Sequence, residues 1–136
     1  GIWRPVTLEV WNGAKINDIY YHLDSLSKYS ADYSIELYLK SVNEIDAELT
    51  IRIADKISSH RTYLKQGENK LIIPQSIKNP ILWWPNGSGK QRMYDVEIIL
   101  SQSKQIFDRK NEKIGVRKVN FQYENTGATV FTLNNL

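Results

Sequence analysis

The chain contains no cysteine, which removes disulfides, thiolate nucleophiles and zinc ribbons together. An antibody-type sandwich, with a bridged Cys pair around a buried Trp, is excluded as well, so any sandwich here is held by packing alone. Histidine is nearly as scarce. His22 and His60 lie far apart, and neither belongs to a His-x-x-x-His or Glu-x-x-His pattern, so both are expected to be structural. Asp18, Asp24, Asp32 and Asp46 lack calcium-loop spacing, and no metal site is expected. Gly87-Ser88-Gly89-Lys90 resembles a phosphate cradle only superficially, because no helical pattern follows to supply the dipole that holds phosphate. No cofactor is expected. No apolar run approaches the roughly 18 residues of a membrane span, and no charged segment followed by an apolar stretch opens the chain. Neither a membrane partner nor a signal peptide within these bounds is expected, and Gly1 is read as a boundary inside a longer polypeptide.

What is present fits one domain of 136 residues, with 41% hydrophobic residues to fill a core and 24% charged residues to solvate a surface. The mean hydropathy is -0.46 and the formal net charge +3. Lys28, Arg52, Lys65, Lys90 and Arg109 are scattered among acids, and only 110–118 is locally basic. These are read as solvated surface charges, and nucleic acid is not expected as a partner.

Helical periodicity is almost absent, whereas period-two alternation is frequent. Tyr33, Ile35, Leu37 and Leu39 share one face, as do Leu49, Ile51 and Ile53, then Leu71 and Ile73 before Pro74, and Tyr94, Val96, Ile98 and Leu100. Each set marks a strand with one buried and one wetter side. Further strands are expected over 7–11, 19–26, 59–64, 105–113, 116–122 and 129–133. Turn chemistry at Asn12-Gly13, at 66–69, at 86–89 and at 125–127 separates them, and 41–46 reads as a hairpin connection. The pattern predicts an all-β, antiparallel sandwich of about seven to nine strands.

Three segments carry a resemblance. Gly1-Ile2-Trp3-Arg4-Pro5-Val6 looks like the last strand of an N-terminal jelly roll. Asn79-Pro80-Ile81-Leu82-Trp83-Trp84-Pro85-Asn86-Gly87-Ser88-Gly89-Lys90-Gln91-Arg92-Met93-Tyr94 is similar to a Pro-x-Leu-Trp-Trp-Pro-x-Gly-x-Gly-x-Gln-x-Leu-Tyr stretch. Ile114-Gly115-Val116-Arg117-Lys118-Val119 resembles a Gly-(Phe/Ile)-Arg strand. In this order they resemble glycoside hydrolase family 2, and its β-mannosidases in particular. Met93 stands where Leu is usual and Arg92 where Pro is common. The tail, 129–136, resembles the lead-in to that family's catalytic barrel.

The resemblance implies an immunoglobulin-like second domain over 1–136, with 1–6 ending the preceding jelly roll and 129–136 leading to a barrel outside this sequence. It implies a parent that is a retaining β-glycosidase, β-mannosidase-like, whose two glutamates lie on that barrel. It also implies a role as a non-catalytic spacer, whose partners are the jelly roll and the barrel of the same polypeptide. A periplasmic or secreted setting is expected only from what such enzymes usually do.

No catalytic residue is expected in this stretch. The Asn-Glu dipeptides at Asn43-Glu44 and Asn111-Glu112 fall in turns or edges, settings that do not raise a carboxyl pKa as an acid catalyst requires. Trp83 and Trp84 are adjacent on an extended segment, so one ring can enter the core while the other points outward, and burial of both in the core is a further reading. An outward ring fits a contact with a neighbouring domain; the alternative is a sugar platform, which would make this a carbohydrate-binding module with weak oligosaccharide contact. A protein-interaction sandwich unrelated to glycosidases is the third reading. Trp3, Arg4, Trp83, Trp84 and Arg117 are the candidate interdomain contacts, arginine because it bridges carboxylates and backbone carbonyls. Tyr20, Tyr21, Tyr29, Tyr33 and Tyr38 are expected to fill sheet faces.

Overall fold

Alternate burial along the strands builds the core. Ile35, Leu37, Leu39, Leu49, Ile51, Ile53, Ile98 and Leu100 are fully enclosed, while the residues between them are partly or wholly exposed. Each such side chain contributes about 1.5–3 kcal/mol relative to leaving it in water. The computed structural model describes residues 13–123 and 129–134, with side chains at 13–118 and 134.

The chain forms an all-β, immunoglobulin-like sandwich of antiparallel strands, with no helix among the described residues. One sheet has the order β1 (Ala14–Leu26), β2 (Ser30–Ser41), β5 (Gly67–Lys78). The other has the order β4 (Lys56–Leu64), β3 (Ile45–Ile53), β6 (Tyr94–Gln102), β7 (Gln105–Ile114). A separate ribbon pairs β8 (Val119–Tyr123) with β9 (Thr129–Leu133). Polar groups stitch the two sheets along both sides. The Ile16 N–H on β1 donates to Asp108 Oδ2 on β7 at 2.8 Å, and Gln75 Nε2 on β5 donates to Ser58 Oγ on β4 at 3.0 Å.

Several expectations are corrected. The 41–46 segment is not a hairpin, because β2 and β3 belong to different sheets and 42–44 carries the chain between them. Both flanking strands bury one face, and a crossing between facing sheets satisfies that pattern as well as a hairpin does. The Leu71–Ile73 pair belongs to a 12-residue strand that runs through Pro74. Proline is tolerated because β5 is an edge strand, where alternate N–H groups need no partner. The alternating run through Leu49 and Ile51 ends at Ile53, and Ala54 takes φ 52° in the tight turn to β4. Val116 precedes β8 and forms a parallel bridge with Leu82 instead. Tyr29 fills no sheet face and is 72% exposed in the β1–β2 turn. The strand expected at 7–11, the turn at 125–127, and Asn12, Trp3 and Arg4 lie outside the described residues.

The strand directions give the sandwich two ends. One holds the connections at 42–44, 65–66 and 103–104, together with Gly13. The other holds 27–29, 54–55, 79–93 and 115–118, together with Asn134. The 12 residues of β2 span roughly 40 Å between them.

Candidate functional site

The segment 79–93 is the longest excursion in the sandwich, and a ladder of backbone bonds folds it across the second end. Asn79, at φ 48°, donates its N–H to Tyr29 O at 2.8 Å. The Ile81 N–H donates to Tyr94 Oη at 2.8 Å. The Trp83 N–H donates to Val116 O, and the Trp84 N–H to Lys90 O, both at 2.8 Å. Ser88 closes a turn back to Pro85 O at 3.0 Å.

This ladder decides where the two tryptophans go. Leu82 packs against the core and Val116 is fully buried within it, so the apolar interior is already filled beside them. Neither Trp ring joins the core cluster; both stay half-buried at the rim. Neither a division into one ring in and one out nor burial of both in the core is found: with bridges at Leu82–Val116 and Trp83–Gln91, Leu82 packs inward and both rings stay half-buried at the end face.

Two glycines make room for them. A Cβ on Gly115 would fall 3.0 Å from Trp83 Cγ, and one on Gly89 would fall 2.8 Å from Trp84 Cγ. At Gly89 something would have to shift, and at Gly115 the neighbouring ring would have to give by a few tenths of an ångström. The glycines of the two motifs are thus steric partners of the two tryptophans, one of them reaching across more than thirty positions. The Arg117 guanidinium lies over a face of Trp83, 5.0 Å from the ring centroid, in cation–π geometry. Sequence reading placed Trp83 and Arg117 on one list without placing them in contact.

Asn134 is the residue that sequence reading missed. Although polar, it is 6% exposed and takes φ 55°. Its Oδ1 accepts from the Lys118 N–H at 2.8 Å and its Nδ2 donates to Trp83 O at 2.8 Å, while its own N–H bonds Lys118 O. The only signal was an Asn directly after a strand, a residue that tolerates the left-handed region.

A cavity of about 440 Å³ opens beside Trp83, lined by Tyr21, Leu23, Tyr33, Met93, Lys113 and Arg117 among others. Burial, with Tyr94 adding to it, pushes the Tyr33 phenol up to about 12. Burial also pushes Tyr21 up, and the Glu112 carboxylate acts in the same direction. The Tyr21 hydroxyl is buried without a well-formed hydrogen bond.

The remaining candidates do not meet here. Glu44 lies in the 42–44 connection, whereas Glu112 pairs with Val96 near the other end, so the two glutamates sit at opposite ends of the sandwich. His22 Nε2 contacts Glu36 Oε2 at 2.8 Å on the outer face of the three-stranded sheet. There the Tyr38 hydroxyl first, then His22 and Lys70, hold the Glu36 carboxyl at about 2. Tyr20 packs edge-on against Tyr38, 5.8 Å between centroids. His60 contacts Ser58 Oγ at 3.1 Å in the inter-sheet stitch. Among the described residues, no group of three or more His, Asp or Glu side chains is arranged to hold a metal.

Comparison with known proteins identifies the family. The model for "Glycosyl hydrolases family 2" matches residues 14–117. The mannosylglycoprotein endo-β-mannosidase of Lilium longiflorum is 29% identical over 151 residues, covering 98% of this chain and 16% of its own. β-Mannosidase B of Aspergillus niger is 31% identical over 124 residues, covering 86% of this chain and 14% of its own. The crystal structure of the β-D-mannosidase from Dictyoglomus thermophilum superposes with a TM-score of 0.85 at 34% identity, over 94% of this chain and 17% of that one. The chain thus spans roughly a sixth of the length of these relatives. A sandwich of this kind is an accessory domain, distinct from a (β/α)8 barrel. Since the family model runs through nearly all of both sheets, from the start of β1 to the arginine that covers Trp83, this chain belongs to glycosyl hydrolases family 2.

Proposed function

We propose that this sandwich is a non-catalytic spacer in a β-mannosidase-like enzyme, set between a jelly roll and a catalytic barrel and fixing their relation. The observation that carries this reading is the asymmetry of the two ends. Gly13 lies at one end and Asn134 at the other, so the chain traverses the sandwich. At the far end Trp83, Gly115, Arg117 and Asn134 interlock around the point where β8 and β9 begin and finish. Residues 1–6 and 129–136 are then the junctions with the two neighbours. A fixed exit matters because an active-site wall displaced by about 1 Å costs on the order of 100-fold in rate.

The same geometry supports an interdomain role for Trp83, Trp84 and Arg117. A guanidinium resting on an indole is preorganised to meet a carboxylate or a backbone carbonyl of a partner. The same guanidinium covers one face of Trp83, which weighs against that face stacking on a sugar ring.

Calorimetric titration with manno-oligosaccharides tests the reading. No heat is expected at millimolar ligand. Saturable heat that Trp83→Ala or Trp84→Ala abolishes, with the variants still folded, would make the domain a carbohydrate-binding module instead. Turnover of an aryl β-mannoside by the 136-residue chain, surviving repurification, would equally remove the non-catalytic assignment.

A further inference from the structure

The end face around 79–93 carries a pattern of charge that the spacer role alone does not require. Lys56, Lys78 and Arg92 line a cleft of about 770 Å³ in which the only acidic side chain is Asp55. On the other side of Met93, Lys113 and Arg117 line the cavity beside Trp83, and Lys118 follows. Among the described residues, only Lys113 of these cations has an acidic partner, the exposed Asp95 at 3.9 Å. Arg92 and Arg117 rest on aromatic rings instead, 5.2 Å from the Tyr94 centroid and 5.0 Å from the Trp83 centroid. Asp24, Asp32 and Glu112 are near this end as well; the first two lie on the outer sheet face and accept hydrogen bonds from Ser34, Ser25 and Ser30, and Glu112 stands beside Tyr21.

Apolar side chains stand among the cations. Ile57 is 59% exposed, Ile81 48% and Met93 41%. Arginine and methionine are enriched in protein interfaces, and arginine fixed flat on an aromatic ring has already lost much of the freedom that binding would cost. Cations spread among exposed apolar groups, over an area spanning two clefts, fit a folded surface better than a flexible polyanion, which needs charge and little else.

We infer that this face, from Lys56 and Lys78 through Arg92 to Arg117, docks an acidic surface of the domain that follows in the same polypeptide. The inference rests on the spacer reading and deepens it by naming the face and the chemistry of its partner. Position supports it too, since Asn134 ties the outgoing chain to Trp83 within the face itself. A partner connected there meets the face at high effective concentration, so exposed ion pairs that would be weak between free molecules suffice.

Hydrogen exchange on the full-length polypeptide, compared with the 136-residue chain, tests this. Amides at 90–94 and 115–118 are expected to exchange about tenfold or more slowly in the full-length protein. Arg92→Glu with Arg117→Glu, and separately Lys56→Glu with Lys78→Glu, should restore most of the faster rate. Lys65→Glu with Lys104→Glu at the opposite end should not. All of these side chains are exposed, and circular dichroism checks that each variant folds. Protection confined to the opposite end or to an outer sheet face would overturn this inference and leave the spacer standing. Protection nowhere would overturn both. Saturable binding of polygalacturonate by the 136-residue chain, lost in Arg92→Glu with Arg117→Glu, would assign the face to an acidic glycan and overturn the docking inference.

Discussion

The two ends of this sandwich are finished in different ways. At the end holding 42–44, 65–66 and 103–104, the side-chain bonds are mostly local; the exception is Gly13, whose carbonyl accepts from the Val42 N–H at 2.8 Å and whose missing Cβ would meet the Phe107 ring at 2.5 Å. Ser41 Oγ donates to Asn43 O at 2.5 Å, and Asn69 both accepts from the Lys65 N–H and donates to Lys65 O at 2.9 Å. At the end holding 79–93, side chains far apart in sequence hold one another: Trp83 with Gly115 and Arg117, and Asn134 with Trp83 and Lys118. Local closure finishes a loop cheaply, although Val42, Tyr63 and Ile106 stay exposed at that end. The long-range knot forms only when the whole fold forms, and it leaves two half-buried indoles and exposed Ile81 and Met93 on show. A domain gains nothing from exposed apolar surface by itself, and the second end adds two indoles to it, so that end is the one to test for partners.

Trp83→Ala should break the difference between the ends most severely. A fully buried Trp or Phe truncated to Ala costs about 3–5 kcal/mol. For a half-buried ring that also supports Arg117, about 2 kcal/mol is expected, read as a lower urea midpoint at unchanged slope. Tyr63→Ala, at the self-closed end and 54% exposed, should stay within about 0.5 kcal/mol of wild type. Equal losses in the two variants would mean that the knot contributes no more than ordinary surface packing.

The next comparison sets one asparagine against another. Asn134→Ala leaves the Lys118 N–H and the Trp83 carbonyl without their side-chain partner in a part-buried setting, expected to cost about 1–3 kcal/mol. Asn134→Gly keeps the φ of 55° accessible and isolates the hydrogen-bond share of that loss. Asn69→Ala removes three bonds, but two of them are exposed to water that replaces them, so about 1 kcal/mol or less is expected. If Asn69→Ala proves the more damaging, the self-closed end is the more important of the two, and the comparison reverses.

How much of this was legible depended on whether period two stayed unbroken. Within β2, β3 and β6 the alternation runs without interruption, and those strands could be read directly from Tyr33–Leu39, Leu49–Ile53 and Tyr94–Leu100. In β1 the pairing slips between Ile16 and Asp18 and again between Leu23 and Ser25. Each bulge shifts the inward parity, so Ile16, Ile19, Tyr21, Leu23 and Leu26 lack constant spacing and the strand's first half went unseen. Sheet membership was hidden for a different reason: a strand's pattern says which face is buried, not which strand lies beside it. That is why 41–46 read as a hairpin. At the end face the motif residues were visible but their contacts were not, because nothing in a linear pattern indicates that Gly115 is small on account of Trp83. Asn134 carried no signal beyond its tolerance of positive φ.

The last difference between the ends appears only at high pH. Tyr33, inside the cavity beside Trp83, is raised to about 12 by burial and by Tyr94. Tyr63, at the opposite end, is also raised, but chiefly through a hydrogen bond to Glu44 and in contact with solvent. A phenol whose folded pKa exceeds its unfolded value of 10.0 keeps its proton longer in the folded state. Its contribution is complete below pH 10 and is lost as pH rises through 10 toward 12. One such group gives a slope of about 1.4 kcal/mol per pH unit in that window and none at pH 7. Tyr21 is shifted in the same sense at the same end. Urea midpoints measured from pH 9 to 12 should therefore fall less steeply in Tyr33→Phe than in wild type, while Tyr63→Phe, whose exposed pair is screened by water, should follow wild type closely. If the two variants flatten the curve equally, burial at the Trp83 end is not what separates them, and a hydrogen bond at a self-closed loop is as effective as enclosure in holding a phenol neutral.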